Sequence, residues 1–405
     1  MNILYFATTA FYGKPNPSFH LMYAMISDLL DAGHSIYFVG VESIVCDKHI
    51  PDEFINHPRF YYRLVKRAPV AKNNFPKRYI SGVMYALNSA KFIKEFMPNC
   101  DVVFLQSSAT VFYNVLVARH YARKQKLVLN VQDMFPGSSI ASGVMKQKWM
   151  QKFFSTVQKI AYRKADVIVG ISEDMRDKLI AEGVDVEKTE VILNWFDDES
   201  VKYIPWNENR YVAKQNMSHN KFYVQYAGTM GYVFDYKMVI EVAKILKPYE
   251  DIEFQMIGMG SQKDIFVKTA VMEGLDNIKF LPLEPQEMVS DVYSACSLCI
   301  IPLKHGIIGN SVPSKAGLLM ECHKAIITSA DEGCKYAKEI NDNKIGIACA
   351  DNNPDEVASS ILKLYRDRRL LEEMGESGYN HGHLIYSRKY NMDKYESLFL
   401  RLADK

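Results

Sequence analysis

Hydrophobic and polar positions recur along this chain with two periods, and each change of period marks a new element. Residues 2–8 (NILYFAT) form an apolar run typical of a strand buried on both faces. A loop follows from Thr9 to Ser18, with Gly13 and two prolines. Leu21, Met22, Met25, Ile26, Leu29 and Leu30 then repeat at the spacing of a one-sided helix over Phe19–Ala32. Gly33 ends that helix, and Ser35–Val39 reads as the second strand. Such a βαβ unit crosses over right-handed in a parallel sheet. The first loop lacks GxGxxG, so a dinucleotide fingerprint is not supported.

The alternation continues with strands at Val102–Gln106, Leu127–Val131, Asp166–Ile171 and Thr189–Leu193. Between them the periodicity predicts helices over Phe112–Lys124, Lys146–Lys164 and Glu173–Glu182. It breaks at Asn194–Asn220, a polar and aromatic stretch read as the connection between two domains. A second series follows, with strands at Phe222–Tyr226, Glu253–Ile257, Ile278–Phe280, Leu298–Pro302 and Ala325–Thr328. Its helices are predicted over Tyr236–Leu246, Gln262–Glu273, Pro285–Ser294, Ser314–His323, Pro354–Tyr365, Arg369–Ser377 and Arg388–Leu402. The fold class is therefore α/β, two doubly wound halves that bind ligands at the carboxyl ends of their strands, with the crevice expected between the halves.

Composition narrows the class. A chain of 405 residues, 48% of them apolar, is long enough for two domains of about 200 residues. No apolar run reaches the ~18 residues of a membrane-spanning helix, and the opening MNILYFATTAF has no basic n-region, so no signal peptide is expected. The seven cysteines are odd in number and scattered through apolar segments, which fits reduced, cytoplasmic thiols. Cys296 and Cys299 form a CxxC without a second pair, so core packing is the reading for them.

The net charge of +2 conceals an asymmetry, because residues 45–165 carry 20 Lys+Arg against 6 Asp+Glu. That excess of +14 leaves about −12 for the rest and points to an anionic partner. Arg59–Tyr79 mixes basic and aromatic residues. The predicted helix Lys146–Lys164 groups Trp149, Phe153, Phe154, Val157 and Ile160, with Lys146, Lys148, Lys152, Lys159 and Lys164 around them. Two readings stand for this helix: a half-buried helix with a charged outer face, or one that lies on anionic lipid. Nucleic acid explains the charge less well, since neither stretch carries a binding module.

The chemistry centres on Asn310–Ser329, NSVPSKAGLLMECHKAIITS. Ser311 or Pro313 stands where a helix start needs a cap or a fixed φ, and Lys315 would add a charge to its first turn. A helix start beyond a parallel strand suits an anion such as a diphosphate. Gly228 and Gly231 follow one strand, Gly258 and Gly260 another, and Lys263 opens the next helix. Glycines there let backbone approach phosphate closely, although each also serves as a plain turn and Lys263 equally as a surface charge. Asp133 ends an apolar strand in QDMFP, either as a group toward an acceptor or as a turn carboxylate.

Five passages, in this order, resemble family 4 glycosyltransferases of the GT-B fold, in their bacterial polysaccharide branch. They are LVLNVQDMFPGSSIASGVM (127–145), ADVIVGISEDMRDKLIAEGV with VILNWFDD (165–184 and 191–198), QYAGTMG (225–231), FQMIGMGSQKD (254–264) and SVPSKAGLLMECHKAIITS (311–329). The resemblance implies two Rossmann-like domains facing across a cleft: residues 1–200 on the acceptor side and 201–384 for a nucleotide sugar. The last helix, 385–405, would return to the first domain. It further implies transfer of a sugar from a nucleotide-diphosphate donor of UDP type to a lipid-linked or saccharide acceptor, with retention and without a cofactor or obligatory metal. The donor would meet Gly13, Gly228, Gly231, Gly258, Gly260, Lys263, Asn310, Ser311, Val312, Pro313 and Ser314, with Lys315 stabilising the departing diphosphate and Asp133 serving the acceptor. Where the resembling proteins carry two glutamates, this chain has Asn310 and Leu318; Glu321, one turn on, either substitutes at a ribose or is an ordinary exposed helix residue. These departures keep two alternatives open, a catalytically silent partner subunit and a nucleotide-sugar epimerase or hydrolase.

Overall fold

The computed structural model describes residues 1–12, 19–43, 47–68, 70, 74–196, 200–313 and 315–403. The chain divides into two units: Met1–Gly137, Lys146–Asn194 and the chain from Lys389 on, against Ser138–Met145 with Trp195–Arg388.

In chain order the first part holds β1 (Asn2–Phe6), α1 (Phe19–Asp31), β2 (Ser35–Val41), α2 (Asp52–Ile55), β3 (Phe60–Val65), α3 (Phe75–Phe96) and β4 (Val102–Gln106). It continues through α4 (Val111–Tyr121), β5 (Lys126–Val131), α5 (Gly137–Ala141), α6 (Lys148–Lys164), β6 (Val167–Gly170), α7 (Glu173–Ala181) and β7 (Thr189–Val191). Its sheet has seven strands in the order β3-β2-β1-β4-β5-β6-β7, and every pairing is parallel. Central strands β4 and β5 are apolar and buried along almost their whole length, as a sheet covered on both faces requires.

The second part runs α8 (Arg210–Lys214), β8 (Phe222–Ala227), α9 (Tyr236–Leu246), β9 (Ile252–Ile257), α10 (Lys263–Met272), β10 (Ile278–Leu281), α11 (Val289–Ser294) and β11 (Leu298–Pro302). After these come α12 (Ala316–Glu321), β12 (Ile326–Ala330), α13 (Lys335–Asp342), β13 (Gly346–Ala350), α14 (Pro354–Arg366), α15 (Arg368–Ile385) and α16 (Arg388–Ala403). Its six strands lie in the parallel order β10-β9-β8-β11-β12-β13. One face of this sheet packs apolar residues of α9, α10 and α14, such as Val239, Phe266 and Ile361. Residues of α11, α12 and α13, such as Val292, Leu319 and Ile340, cover the other face. The doubly wound α/β class predicted from periodicity is the class observed.

Several elements escaped the periodicity. β3 and the 22-residue α3 fall where charge and aromatics obscure the pattern, and α13 and β13 are short. The stretch after Asn194, expected as a bare connection, is packed down on α11. Backbone amides of Lys202 and Ile204 donate to Ser290 and Ser294 at 3.1 and 2.9 Å, and Arg210 pairs with buried Asp291. The CxxC sulfurs sit 3.4 Å apart in the interior.

The last helix, α16, belongs to the first unit. Tyr395 and Phe399 pack edge-on to Phe104 of β4, with ring centroids 5.8 Å away in both cases. Polar groups fix its position: Asn130 in β5 donates to the Tyr395 hydroxyl at 2.8 Å, and Asn391 accepts the Leu193 amide at 3.1 Å. Asn130 also accepts from Gln132, which exchanges hydrogen bonds with Asn194. A Tyr395→Phe substitution keeps the packing and orphans a buried amide proton of Asn130, which costs about 1–3 kcal/mol. A lower urea midpoint is the expected result; an unchanged one would mean that packing alone holds the helix.

Candidate active site

The strand order of the second sheet reverses between β8 and β11, the place where open parallel sheets bind ligands. The loops leaving β8, β9 and β11 carry most of the residues singled out above. Gly228 is the first residue beyond β8, with φ +139°, and a Cβ there would stand 2.2 Å from the Lys315 ammonium nitrogen. Gly258, just beyond β9, has φ +137°, and its Cβ would lie 2.0 Å from the carbonyl oxygen of Gly228. The two loops are thus stacked backbone on backbone, with the lysine head on top. Amide-to-carbonyl bonds from Met230 to Met259 (2.9 Å) and from Gln262 to Met230 (3.0 Å) tie the stack, and Gly260 lies within it against Met230. Gly231 differs: the nearest atom to a Cβ there is 3.6 Å away, so this position tolerates a side chain.

Lys315 brings its ammonium 3.7 Å from the ring centroid of Tyr226, the penultimate residue of β8. The Tyr226 hydroxyl donates to the Thr229 carbonyl at 2.7 Å, which holds the ring in place. Among the described residues no carboxylate pairs with Lys315. Burial pushes its ammonium down to about 7, because a desolvated cation next to a ring quadrupole lacks the compensation of an anion. Lys263 opens α10 and donates its ammonium to the Gly258 carbonyl at 2.7 Å. Gly228, Gly258, Gly260, Lys263 and Lys315 are therefore linked in one chain of contacts. Tyr226 belongs with them, and its place directly ahead of the AG of QYAGTMG was the available sequence signal.

Other expectations need correction. The cap expected at Ser311 or Pro313 lies further along: α12, expected over Ser314–His323, has only six residues, and Lys315 is its N-cap. Ser311, Val312 and Pro313 are half-buried in the non-helical approach, and Gly13 and Ser314 lie outside the described residues. Asn310 is buried; its side-chain nitrogen donates to the Gly306 carbonyl at 2.7 Å, while its side-chain oxygen has no hydrogen-bond partner among the described residues. Glu321 is buried, with an oxygen 3.1 Å from His383 Nδ1 in α15. Leu318 packs against the apolar cluster beneath. His323 takes φ +54°, where helix ends favour glycine. Its amide and that of Lys324 close the helix on Met320 and Leu319, and its ring stacks on Tyr379 at 4.1 Å.

The β11 loop is shaped by carboxylates that sequence reasoning missed. Asp331 accepts the amides of Gly306 and Ile308 at 2.6 and 3.2 Å. His305 Nδ1 lies 3.0 Å from Asp331 and 2.8 Å from Asp351. Those three side chains are the described ones that could hold a cation, and as they stand they clamp the loop. A surface depression of about 570 Å³ beside them is lined by Lys237, Gln262, Lys304, His305 and Asp351 among others. Asp133 belongs to the first unit; it is exposed, and its carbonyl accepts the Phe135 amide at 3.2 Å.

A family model for glycosyltransferase family 4 matches residues 21–200, and one for glycosyl transferases group 1 matches residues 207–381. With the two parallel sheets, these matches define the class: the chain is a GT-B glycosyltransferase, a family 4 half followed by a group 1 half. Among its relatives is the probable glycosyltransferase WbjE of Pseudomonas aeruginosa, 25% identical over 64% of this chain and 65% of that protein. The putative colanic acid biosynthesis glycosyl transferase WcaI of Escherichia coli is 24% identical over 50% of this chain and 51% of its own. The chain thus spans between half and two thirds of the length of these relatives. Among solved structures, Anabaena Alr3699/HepE in complex with UDP superposes with a TM-score of 0.71 at 15% identity, covering 98% of this chain and 99% of that one.

The glycine contacts lead to a paired expectation. Gly258→Ala forces a left-handed φ and a backbone clash, so it should lower stability by roughly 1–3 kcal/mol or prevent folding. Gly231→Ala should be near neutral. Equal urea midpoints for the two variants would contradict the stacked-loop geometry.

Proposed function

We propose that this glycosyltransferase takes a sugar from a nucleotide-diphosphate donor of UDP type and passes it to a lipid-linked or saccharide acceptor, with retention, in surface polysaccharide or glycan assembly. Its place is the cytoplasm, peripheral at the inner face of the plasma membrane. The observation that carries the reading is the Lys315 ammonium, desolvated, without a carboxylate among the described residues, and held where two glycine loops expose backbone at the carboxyl edge of the sheet. A cation in that condition gains most from a dianionic ligand. Crystals of Alr3699/HepE with UDP and with UDP-glucose support a nucleotide sugar, and the name of WcaI supports polysaccharide assembly.

In the reaction, the bond from the anomeric carbon to the diphosphate oxygen breaks, and negative charge grows on the departing diphosphate. Lys315, with Lys263 once it leaves the Gly258 carbonyl, neutralises that charge as it develops, which is where binding accelerates chemistry. Asp133 is the proposed acceptor-side group, orienting the attacking hydroxyl or assisting loss of its proton. No metal or cofactor enters this scheme. Leu318 and Asn310, standing where the resembling proteins carry glutamates, favour one alternative: a catalytically silent partner subunit. Labelled nucleotide sugars, incubated with and without lipid-linked acceptor, separate transfer from acceptor-independent turnover and from silence.

Two outcomes follow from the lysine. Lys315→Ala should cut turnover by ~100-fold or more; near-normal activity would remove it from the mechanism. An anion favours the charged form of Lys315, which in the free protein is half populated at about 7 and fully populated only well below it. Nucleoside diphosphate affinity should thus be level below that pH and weaken by about tenfold per unit above it. Titration calorimetry of the wild type and Lys315→Met should show this slope in the first alone.

A further inference from the structure

The basic stretch of the first unit carries an exposed apolar face that the reading above does not use. α6 buries Phe154, Ala161 and Tyr162, yet Trp149 and Phe153, one turn apart on its outer side, are 71% and 52% exposed. On α3, Ile80, Met84 and Leu87 form a stripe at helical spacing and are 61%, 50% and 53% exposed. The two helices meet through Phe75 and Tyr79 of α3, whose rings contact Phe154 at 5.9 and 5.1 Å; Phe153 adjoins Phe154 at 5.2 Å. The exposed residues therefore flank one aromatic seam. α6 has five basic and no acidic residues, and α3 has four basic and one acidic.

We propose that α3 and α6 together seat the first unit on an anionic bilayer, with Met84, Leu87, Trp149 and Phe153 entering the interface and the surrounding lysines meeting lipid phosphates. Aliphatic side chains set among cations suit a surface that offers acyl chains beneath negative headgroups. A polynucleotide would leave the aliphatic stripe unsatisfied. A second copy of this chain would oppose nine basic residues with nine more, so charge argues against self-association. The proposal rests on the lipid-linked reading of the acceptor only for its purpose, since vesicle binding is read without donor or acceptor.

The test floats the full chain with vesicles of phosphatidylglycerol and phosphatidylcholine, and with phosphatidylcholine alone. Flotation with the anionic vesicles is expected. It should fall at least about tenfold in a Met84→Ser, Leu87→Ser, Trp149→Ser, Phe153→Ser variant, since four large apolar contacts are lost. Lys148→Glu with Lys152→Glu should abolish the preference for anionic lipid. Circular dichroism and urea midpoints matching the wild type show that the variants fold. Wild-type-like flotation of both variants would overturn the proposal. So would a wild-type dimer made monomeric by the serine variant without any flotation, or binding of polynucleotide in place of vesicles. A chain that floats but turns over no nucleotide sugar leaves the docking face standing and sinks the transferase reading alone.

Discussion

A lysine whose ammonium is desolvated, with no carboxylate to answer it among the described residues, is an expensive arrangement, and the second half of this protein is built to maintain it. The ammonium of Lys315 rests on the face of Tyr226 and against Gly228, a position open only because that residue has no Cβ. The Tyr226 ring is pinned through its hydroxyl, and the Gly228 loop is pinned by the Gly258 loop stacked beneath it. A buried cation of this kind commonly loses its proton or finds a carboxylate. Here it does neither fully, and its proton affinity drops into the range where a bound phosphate group can restore it.

The same economy explains the departures in α12. A six-residue helix whose inner side is Ala316, Leu319 and Met320 leaves little room for polar groups. Its glutamate is taken up by His383, and its C-terminal turn is closed by a histidine in a left-handed conformation instead of glycine. Stacking of His323 on Tyr379 and its pairing with Glu376 offset the strain of that turn. Helix α12 is thus fastened to α15 from several points, and its neighbour Lys315 inherits a fixed place.

What could be read from sequence was whatever had a regular period. Buried parallel strands are continuous apolar runs, so β1, β4, β5, β8, β9 and β11 were found within a residue or two. α3 and β3 were not, because their outward residues are apolar or aromatic and their inward ones include Gly82 and Ser89, which blurs the alternation. In the site, Gly228, Gly258 and Lys315 stood out through their positions after strands. The partners that give them meaning are distant in sequence: Tyr226 lies 89 positions before Lys315, and His383 lies 62 beyond Glu321. The cap of α12 was misplaced because Pro313 suits a first helical turn, whereas Lys315 takes the N-cap position and the helix begins at Ala316.

The route of the final helix bears on how the molecule is made. Phe104, at the centre of the first sheet, is covered by Tyr395 and Phe399, almost 300 positions later. During synthesis the N-terminal sheet must wait with that face bare while the whole of the other unit emerges and closes on itself. Domains usually complete in the order in which they leave the ribosome. Here the order is inverted, and the half that begins first finishes last. Chaperone demand during translation should accordingly fall on the nascent N-terminal half.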